Sequence, residues 1–379
     1  MKADAYLTPN YARFPVEFVR GEGARLWDAA GVEYLDFLCG ISVSSAGHCH
    51  PAVVAAIREQ AGRLIHVGNL YYTQPMARLA ERLAGSSLGG KVFFTNSGTE
   101  AVEAALKCAR KARPGGKLVS VHGAFHGRTY GALSVTPQES KQAAFAPLLG
   151  GVASVPATID ALERAIDPST AALILEPIQG ETGVHVLPDE LLEAARELCD
   201  AAGAALIFDE VQTGLGRTGT AWAYEQTGVV PDLLCTAKAL GDGLPIGALI
   251  TGERLADTFE PGDHGSTFAG GPVICAAANA VLDVLLDDAL LERVRELGEL
   301  VREHLALLAH VRQVRGRGLM IAADLDVDAR AVVRRLLDDE QFVANATGPA
   351  TLRLLPPLVI TRDDALDALA RIGRVLERA

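Results

Sequence analysis

Four short stretches of this sequence carry residue types that could do chemistry together. Lys238 sits in Leu233-Leu234-Cys235-Thr236-Ala237-Lys238-Ala239-Leu240-Gly241, a single amine in an apolar run bounded by glycine. Lysine is rarely buried without a partner, and removal from water lowers its pKa, which suits a Schiff-base nucleophile and proton shuttle. Asp209 closes the run Ala204-Ala205-Leu206-Ile207-Phe208. A carboxylate on that rigid strand end could hold a ring nitrogen protonated and so make the ring an electron sink. Thr95-Asn96-Ser97-Gly98-Thr99-Glu100 lies between an apolar strand and a helix. There the first-turn N–H groups and the Ser97 and Thr99 hydroxyls could surround a phosphate, with Gly98 allowing close approach. Phe125-His126-Gly127-Arg128 offers an aromatic that could stack on a ring and a guanidinium that could take a carboxylate bidentately.

Each stretch has an ordinary alternative. Lys238 could snorkel at the surface, Asp209 and Ser97 could be plain helix caps, and F-H-G-R could be a polar loop. Together, however, a phosphate cradle, an acid, an aromatic plate and a lysine follow one another in an order that fits one crevice. A pyridoxal 5'-phosphate (PLP) site uses all four. Two other patterns mislead. His48-Cys49-His50 looks like a metal cluster, but such close neighbours do not converge on one ion and no further ligands are spaced to help, so no metal is expected. Asp209-Glu210 is not an acid dyad, because neighbours in a strand point to opposite faces.

The elements that must position these residues alternate. Val92-Phe93-Phe94 precedes a helix over Glu100–Lys111, and Lys117–Val121 and Ala171–Leu175 read as strands. A helix over Glu190–Ala202 separates these from further strands at Ala205–Phe208, Leu233–Cys235 and Ala248–Thr251. Continuous apolar strands between amphipathic helices predict an α/β fold with a mostly parallel sheet covered on both faces. Ligands of such sheets sit beyond the carboxyl ends of the strands, where the four stretches fall. Arg20–Phe37 has hairpin character, punctuated by Gly23 and Gly31. Past Gly271 the pattern turns helical (Pro272–Leu286, Leu290–Leu308). An α+β stretch follows, with Leu319–Asp324, Leu352–Leu355 and a closing helix at Asp363–Glu377.

Composition narrows the setting. At 379 residues the chain is expected to form about two domains, and 49% hydrophobic with 22% charged residues is ordinary for a soluble globular protein. A net charge of −12 argues against nucleic acid as the main partner. No apolar run approaches the ~20 residues of a membrane span, and Met1-Lys2-Ala3-Asp4 does not begin a signal peptide. Six scattered cysteines without a C-x-x-C pair suggest reduced thiols and a cytoplasmic protein.

Over nearly its whole length the sequence resembles the class III aminotransferases of fold type I, and is most like their acetylornithine branch. The resemblance rests on R-G-E-G-A-R-L-W-D (Arg20–Asp28), G-H-C-H-P (Gly47–Pro51), N-L-Y-Y (Asn69–Tyr72) and N-S-G-T-E-A (Asn96–Ala101). F-H-G-R-T (Phe125–Thr129), E-P-I-Q-G-E (Glu176–Glu181), D-E-V-Q-T-G-L-G-R-T-G (Asp209–Gly219) and A-K-A-L-G-D-G-L-P-I-G (Ala237–Gly247) extend it. H-G-S-T-F (His264–Phe268) and R-L-L-P-P (Arg353–Pro357) complete it. It implies a large PLP-binding domain over residues 50–270 and a small α+β domain over 271–379, with residues 1–49 packing on the latter.

The resemblance also implies roles. Lys238 carries the cofactor, Asp209 pairs with its ring nitrogen, and Gln212 bonds its ring hydroxyl. Phe125 and Val211 lie on the two ring faces, and Ser97, Gly98 and Thr99 hold the phosphate. Thr267 reaches the phosphate of a neighbouring subunit, so an obligatory homodimer is expected. Arg128 and Arg353 clamp substrate carboxylates. Glu181 masks Arg353 while the donor is bound and swings away for glutamate. Tyr11 matches a tyrosine of both ornithine- and acetylornithine-type members, and leaves the two donors open. The expected reaction moves the terminal amine of N2-acetyl-L-ornithine to 2-oxoglutarate. The alternatives are another ω-amino donor (ornithine, succinyl-diaminopimelate or γ-aminobutyrate) or an aminomutase of the glutamate-1-semialdehyde type.

Overall fold

The computed structural model describes residues 5–379. Seven strands form the central sheet, in the order Gly89–Thr95, Gly247–Gly252, Leu233–Thr236, Ala205–Asp209, Thr170–Leu175, Lys117–Val121, Val152–Val155. Ala205–Asp209 is parallel to both its neighbours, as is Lys117–Val121, while Gly247–Gly252 runs antiparallel to the strands on either side. The sheet is mostly parallel and the fold is α/β, as the alternation of apolar runs and helices predicts.

The strand runs are apolar throughout because both sheet faces are covered, and alternate residues feed different cores. Leu206 and Phe208 join Leu173, Leu175 and Leu234 in one buried cluster. Ala205 and Ile207 join Ala172, Ile174 and Leu233 in another, beneath the helix Gly98–Ala112. That helix lies close on the sheet because Ala101, Ala104, Ala105, Cys108 and Ala109 face it. Its start is fixed reciprocally. Ser97 Oγ accepts from Glu100 N at 3.3 Å, and the Glu100 carboxylate accepts from Asn96 N at 2.7 Å.

Two smaller sheets complete the structure. Phe18–Glu22, Arg25–Asp28 and Glu33–Asp36 form an antiparallel meander, one strand more than the hairpin expected. Its last strand pairs in parallel with Phe342–Val343, so residues near both ends of the chain share one sheet. The other sheet orders Val311–Arg317, Met320–Leu325, Thr351–Leu354 and Asn345–Ala346. Val311–Arg317 (V-R-Q-V-R-G-R) was not expected as a strand. Its residues are exposed or only partly buried, so it lacks the apolar run that marks the central strands. Leu319 belongs to the turn before Met320, with Gly318 at φ +52°.

Residues 39–42 form a left-handed turn, with φ of 41°, 68°, 66° and 63°. Such a turn costs an L-residue about 1–2 kcal/mol, so neighbouring contacts must hold it. The Asp36 carboxylate accepts from Leu38 N and Cys39 N. The fully buried Arg217 donates to Ser42 Oγ, Ser45 Oγ and Cys39 Sγ, and to the carbonyls of Leu319 and Pro356. One guanidinium thus ties the N-terminal segment to the turn at Leu319 and to the chain just after the strand Thr351–Leu354. His48 and His50 diverge: His48 Nε2 meets Asp36 Oδ2 at 2.7 Å, whereas His50 caps the helix Pro51–Ala61.

Asp242 ties the loop after Lys238 to the same segment by accepting from Ala46 N at 2.8 Å. Burial pushes its carboxyl up to about 7, against the opposing pull of Ala46 N–H and His48. A folded-state value above the unfolded 3.8 means that the folded chain keeps a proton the unfolded chain has lost. Stability therefore falls as pH rises across that window. Asp242→Asn keeps the acceptor and removes the titration, so its urea midpoint is expected to drop less between pH 5 and pH 8 than that of the parent. Equal drops would contradict the assignment.

Candidate active site

The carboxyl ends of the central strands converge on a cavity of about 440 Å³, within the size range of a small-molecule site. Asp209 ends its strand at the cavity, and Lys238 follows the strand Leu233–Thr236. The turn to the helix Gly98–Ala112 brings Ser97, Gly98 and Thr99 to the rim. The loop after Lys117–Val121 brings Phe125 and Arg128. Val211, Gln212 and Glu181 also line the cavity.

Arg353 stands behind Glu181. It is 1% exposed, and its Nη1 lies 2.8 Å from Glu181 Oε1. The structure does not bring Tyr11 or Thr267 into this cavity. Tyr11 is 69% exposed and lines a different recess, beside Asn345, whose Oδ1 accepts from Arg353 Nε at 3.1 Å. Thr267 is exposed, next to Ser266, whose hydroxyl accepts from Asn96 Nδ2.

Lys238 opens a short 3-10 turn with φ +39°, a strained backbone for a side chain and one that marks functional positions. Burial pushes its amine pKa down; Glu181 and Asp209 pull it back up, and Arg353 adds to the lowering. The net effect leaves more of the amine neutral and nucleophilic. Glu181 is the converse. Burial would raise its carboxyl, but the charges of Arg353 and Lys238 outweigh that and hold it below its ordinary value.

Two residues unassigned in the sequence complete the polar floor. His126 Nδ1 lies 2.8 Å from Asp209 Oδ2, both groups buried. The contact pairs the imidazole with the carboxylate and so orients Asp209. Glu176 follows the apolar run Ala171–Leu175 as Asp209 follows the apolar run Ala204–Phe208; that parallel was the available signal. Burial pushes its carboxyl up to about 7, with His126 lowering it and Asp209 raising it. Glu210, next to Asp209, turns away and accepts from Ala223 N, Tyr224 N and Thr213 Oγ1.

These residues fit a PLP-like ring. Gln212 Oε1 and His126 Nε2 are buried polar atoms with no partner among the described residues, which a cavity built only for packing would avoid. Asp209 is an acid held in place by His126 where a ring nitrogen could meet it, and Phe125 adds an aromatic side chain to the lining. Gly98 lets Val211 pack tightly at the helix start, where a Cβ would come within 2.8 Å of Val211 Cγ1. Thr99 Oγ1 accepts from the backbone N–H of Arg128 and Thr129, so it also anchors the loop carrying Arg128.

Comparisons with known proteins agree with this geometry. The model of the family "Aminotransferase class-III" matches residues 6–376. The acetylornithine aminotransferase of Methanopyrus kandleri is 48% identical, over 98% of this chain and 97% of its own. The ornithine aminotransferase of Toxoplasma gondii, in a structure that reveals partial occupancy of PLP at its active site, superposes with a TM-score of 0.95. It is 37% identical and is covered over 100% of this chain and 93% of its own. The acetylornithine aminotransferase of Elizabethkingia anophelis gives a TM-score of 0.89 at 35% identity, over 100% and 98%.

Gly98→Ala should drive Val211 into the cavity. PLP affinity, read from absorbance titration, is expected to fall roughly 5- to 100-fold, the range of a mild overpacking. Adding Val211→Ala should relieve the overlap and recover part of the loss. Unchanged affinity in the single variant would show that Val211 does not bound the ring site.

Proposed function

The chain belongs to the class-III aminotransferases, and from that premise we propose that it moves the terminal amino group of N2-acetyl-L-ornithine to 2-oxoglutarate, yielding N-acetyl-L-glutamate 5-semialdehyde and L-glutamate. It is a PLP-dependent transaminase, acting on an amino donor and a keto acid. The observation that carries the two-substrate reading is a buried arginine covered by a carboxylate beside the reactive amine: Arg353, Glu181 and Lys238. An aminomutase uses one substrate and has no need of a second, maskable carboxylate clamp. Relatives at 43–48% identity named acetylornithine aminotransferase support the donor. Free ornithine is the second reading, favoured by the TM-score of 0.95 to the Toxoplasma ornithine enzyme.

Bound in the cavity, PLP supplies an electron-withdrawing ring that carries the amino group from one substrate to the next. Asp209, steadied by His126, would keep the ring nitrogen protonated, and Gln212 would bond the ring hydroxyl. Phe125 and Val211 would hold the two faces, and Ser97, Gly98 and Thr99 the phosphate. The Lys238 amine, made less basic by desolvation, would take the proton from the substrate carbon bearing nitrogen and hold it for return within the site. Arg128 would hold the donor's α-carboxylate, or glutamate's side-chain carboxylate. With Glu181 withdrawn, Arg353 would hold glutamate's α-carboxylate; the Glu181–Arg353 pair is a charge-assisted bond of a strength a substrate carboxylate can replace.

The reading extends to assembly. Leu70, Tyr71, Tyr72, Ile65 and Phe268 expose large apolar surfaces, 91% for Leu70 and 95% for Tyr72, and a second copy of the chain is their natural cover. Thr267, beside Phe268, would then reach the partner's phosphate site. The proposed division, with residues 1–49 and 271–379 forming the small domain around 50–270, is supported by the shared sheet of Glu33–Asp36 and Phe342–Val343. Cytoplasmic residence is supported by six free cysteines, five of them buried. No described helix is long and apolar enough to cross a membrane.

With 2-oxoglutarate as acceptor, kcat/KM for acetylornithine is expected to exceed that for ornithine, γ-aminobutyrate and succinyl-diaminopimelate by at least about ten-fold, a discrimination within reach of pocket contacts. A higher value for any of the other three would replace the donor. Lys238→Ala should lose the visible absorbance of the PLP-loaded protein and at least about 10²–10⁴-fold in kcat. Full activity in that variant would reject Lys238 as the reactive amine.

A further inference from the structure

Glu176 is a third carboxyl on the cavity wall, and neither carboxylate clamping nor ring binding uses it. It is 5% exposed, and its two oxygens serve different loops. Oε2 accepts from Phe125 N at 2.8 Å, and Oε1 accepts from Gly180 N at 3.3 Å. The other end of the Gly180 residue is also taken, since its carbonyl accepts from Arg353 Nη1 at 2.8 Å. The same Nη1 meets Glu181 Oε1. Gly180 has no room to drift: a Cβ there would lie 2.1 Å from Gln212 Oε1.

This chain of contacts bears on what happens when Glu181 leaves. Arg353 Nη1 then loses its carboxylate but keeps the Gly180 carbonyl, and Nε keeps Asn345. A long side chain released from its partner would otherwise regain rotamer freedom at a cost to the next ligand. The backbone at Gly180 is held in place because the buried Glu176 carboxylate accepts from its N–H.

We propose that Glu176 is a positioning residue that, through the Gly180 backbone, keeps the Arg353 guanidinium aimed at the cavity for the α-carboxylate of the dicarboxylate substrate. This rests on the reading of Arg353 as that carboxylate's clamp. Burial raises the Glu176 carboxyl to about 7, while the two backbone N–H groups pull it back toward the ionised form that accepts from both. An amide in its place accepts through one atom only and turns its NH₂ on the other N–H.

The test uses PLP-loaded protein and glutarate, a dicarboxylate that needs no knowledge of the true donor. In Glu176→Gln the glutarate Kd, read from the cofactor absorbance, and the KM for 2-oxoglutarate should each rise about ten-fold, as for loss of a hydrogen bond to a charged group. The KM for the amino donor should stay within about two-fold, since donor binding leaves Glu181 on Arg353. Glu176→Asp, whose shorter carboxylate cannot span both loops, should give the same split, and serves if the glutamine variant does not fold. Equal rises for donor and dicarboxylate, or no rise in either, would overturn the inference. Arg353→Gln separates the two levels. If it leaves glutarate binding intact, the clamp reading itself is wrong and this inference goes with it. If it abolishes binding while both Glu176 variants bind normally, only the inference fails.

Discussion

A half-buried primary amine, its pKa lowered by desolvation among two carboxylates and a guanidinium, is the constraint around which this structure is arranged. Lys238 is lowered in pKa by burial and partly restored by Glu181 and Asp209. Such a balance survives only where the surroundings are fixed, because each charge acts over a few ångströms in a medium of low effective dielectric. The central sheet provides that rigidity. Its middle strands are buried on both faces, packed into separate cores above and below, and the reactive groups stand on their ends. Asp209 needs no flexible reach to meet His126, and Lys238 follows its strand after a single residue.

Asp209, Glu176, Glu181 and Arg353 are each partnered, but not equally tightly. Asp209 is held by His126 and by Val211 N, and Glu176 by two backbone N–H groups. Arg353 is anchored by the Gly180 carbonyl and by Asn345, whereas Glu181 reaches it from a partly open position. On the proposed reading, the tightly held groups would orient the ring, and the more open Glu181–Arg353 pair would give way to a substrate carboxylate.

Strain is carried close by. The left-handed turn at residues 39–42 and the positive φ of Lys238 both cost free energy that surrounding contacts offset. Arg217, buried and bonded to hydroxyls, carbonyls and one thiol, holds the turn against the opposite sheet. Val43, immediately after the turn, lines the cavity. The N-terminal segment thus contributes a wall to a site whose chemistry lies two hundred residues further along the chain.

The sequence by itself determined the parts whose signal is local. Apolar runs ending in Asp209 or leading to Lys238, and the turn Asn96–Glu100 before a helix of small residues, made legible the sheet and the gathering of Asp209, Lys238 and Ser97–Thr99 at one cavity. Period and composition follow directly from burial on two faces. Tertiary structure alone decided the contacts between distant segments. It put His126 on Asp209, Phe125 on Glu176, Arg353 on Gly180, and Arg217 under residues 39–45; it also left Tyr11 outside the cavity. These depend on the meeting of side chains many residues apart, set by strand order and loop path, and no window of sequence holds both partners. The strand Val311–Arg317 escaped for a related reason: an edge with little burial has no apolar run to announce it, and only its pairing with Met320–Leu325 makes it a strand.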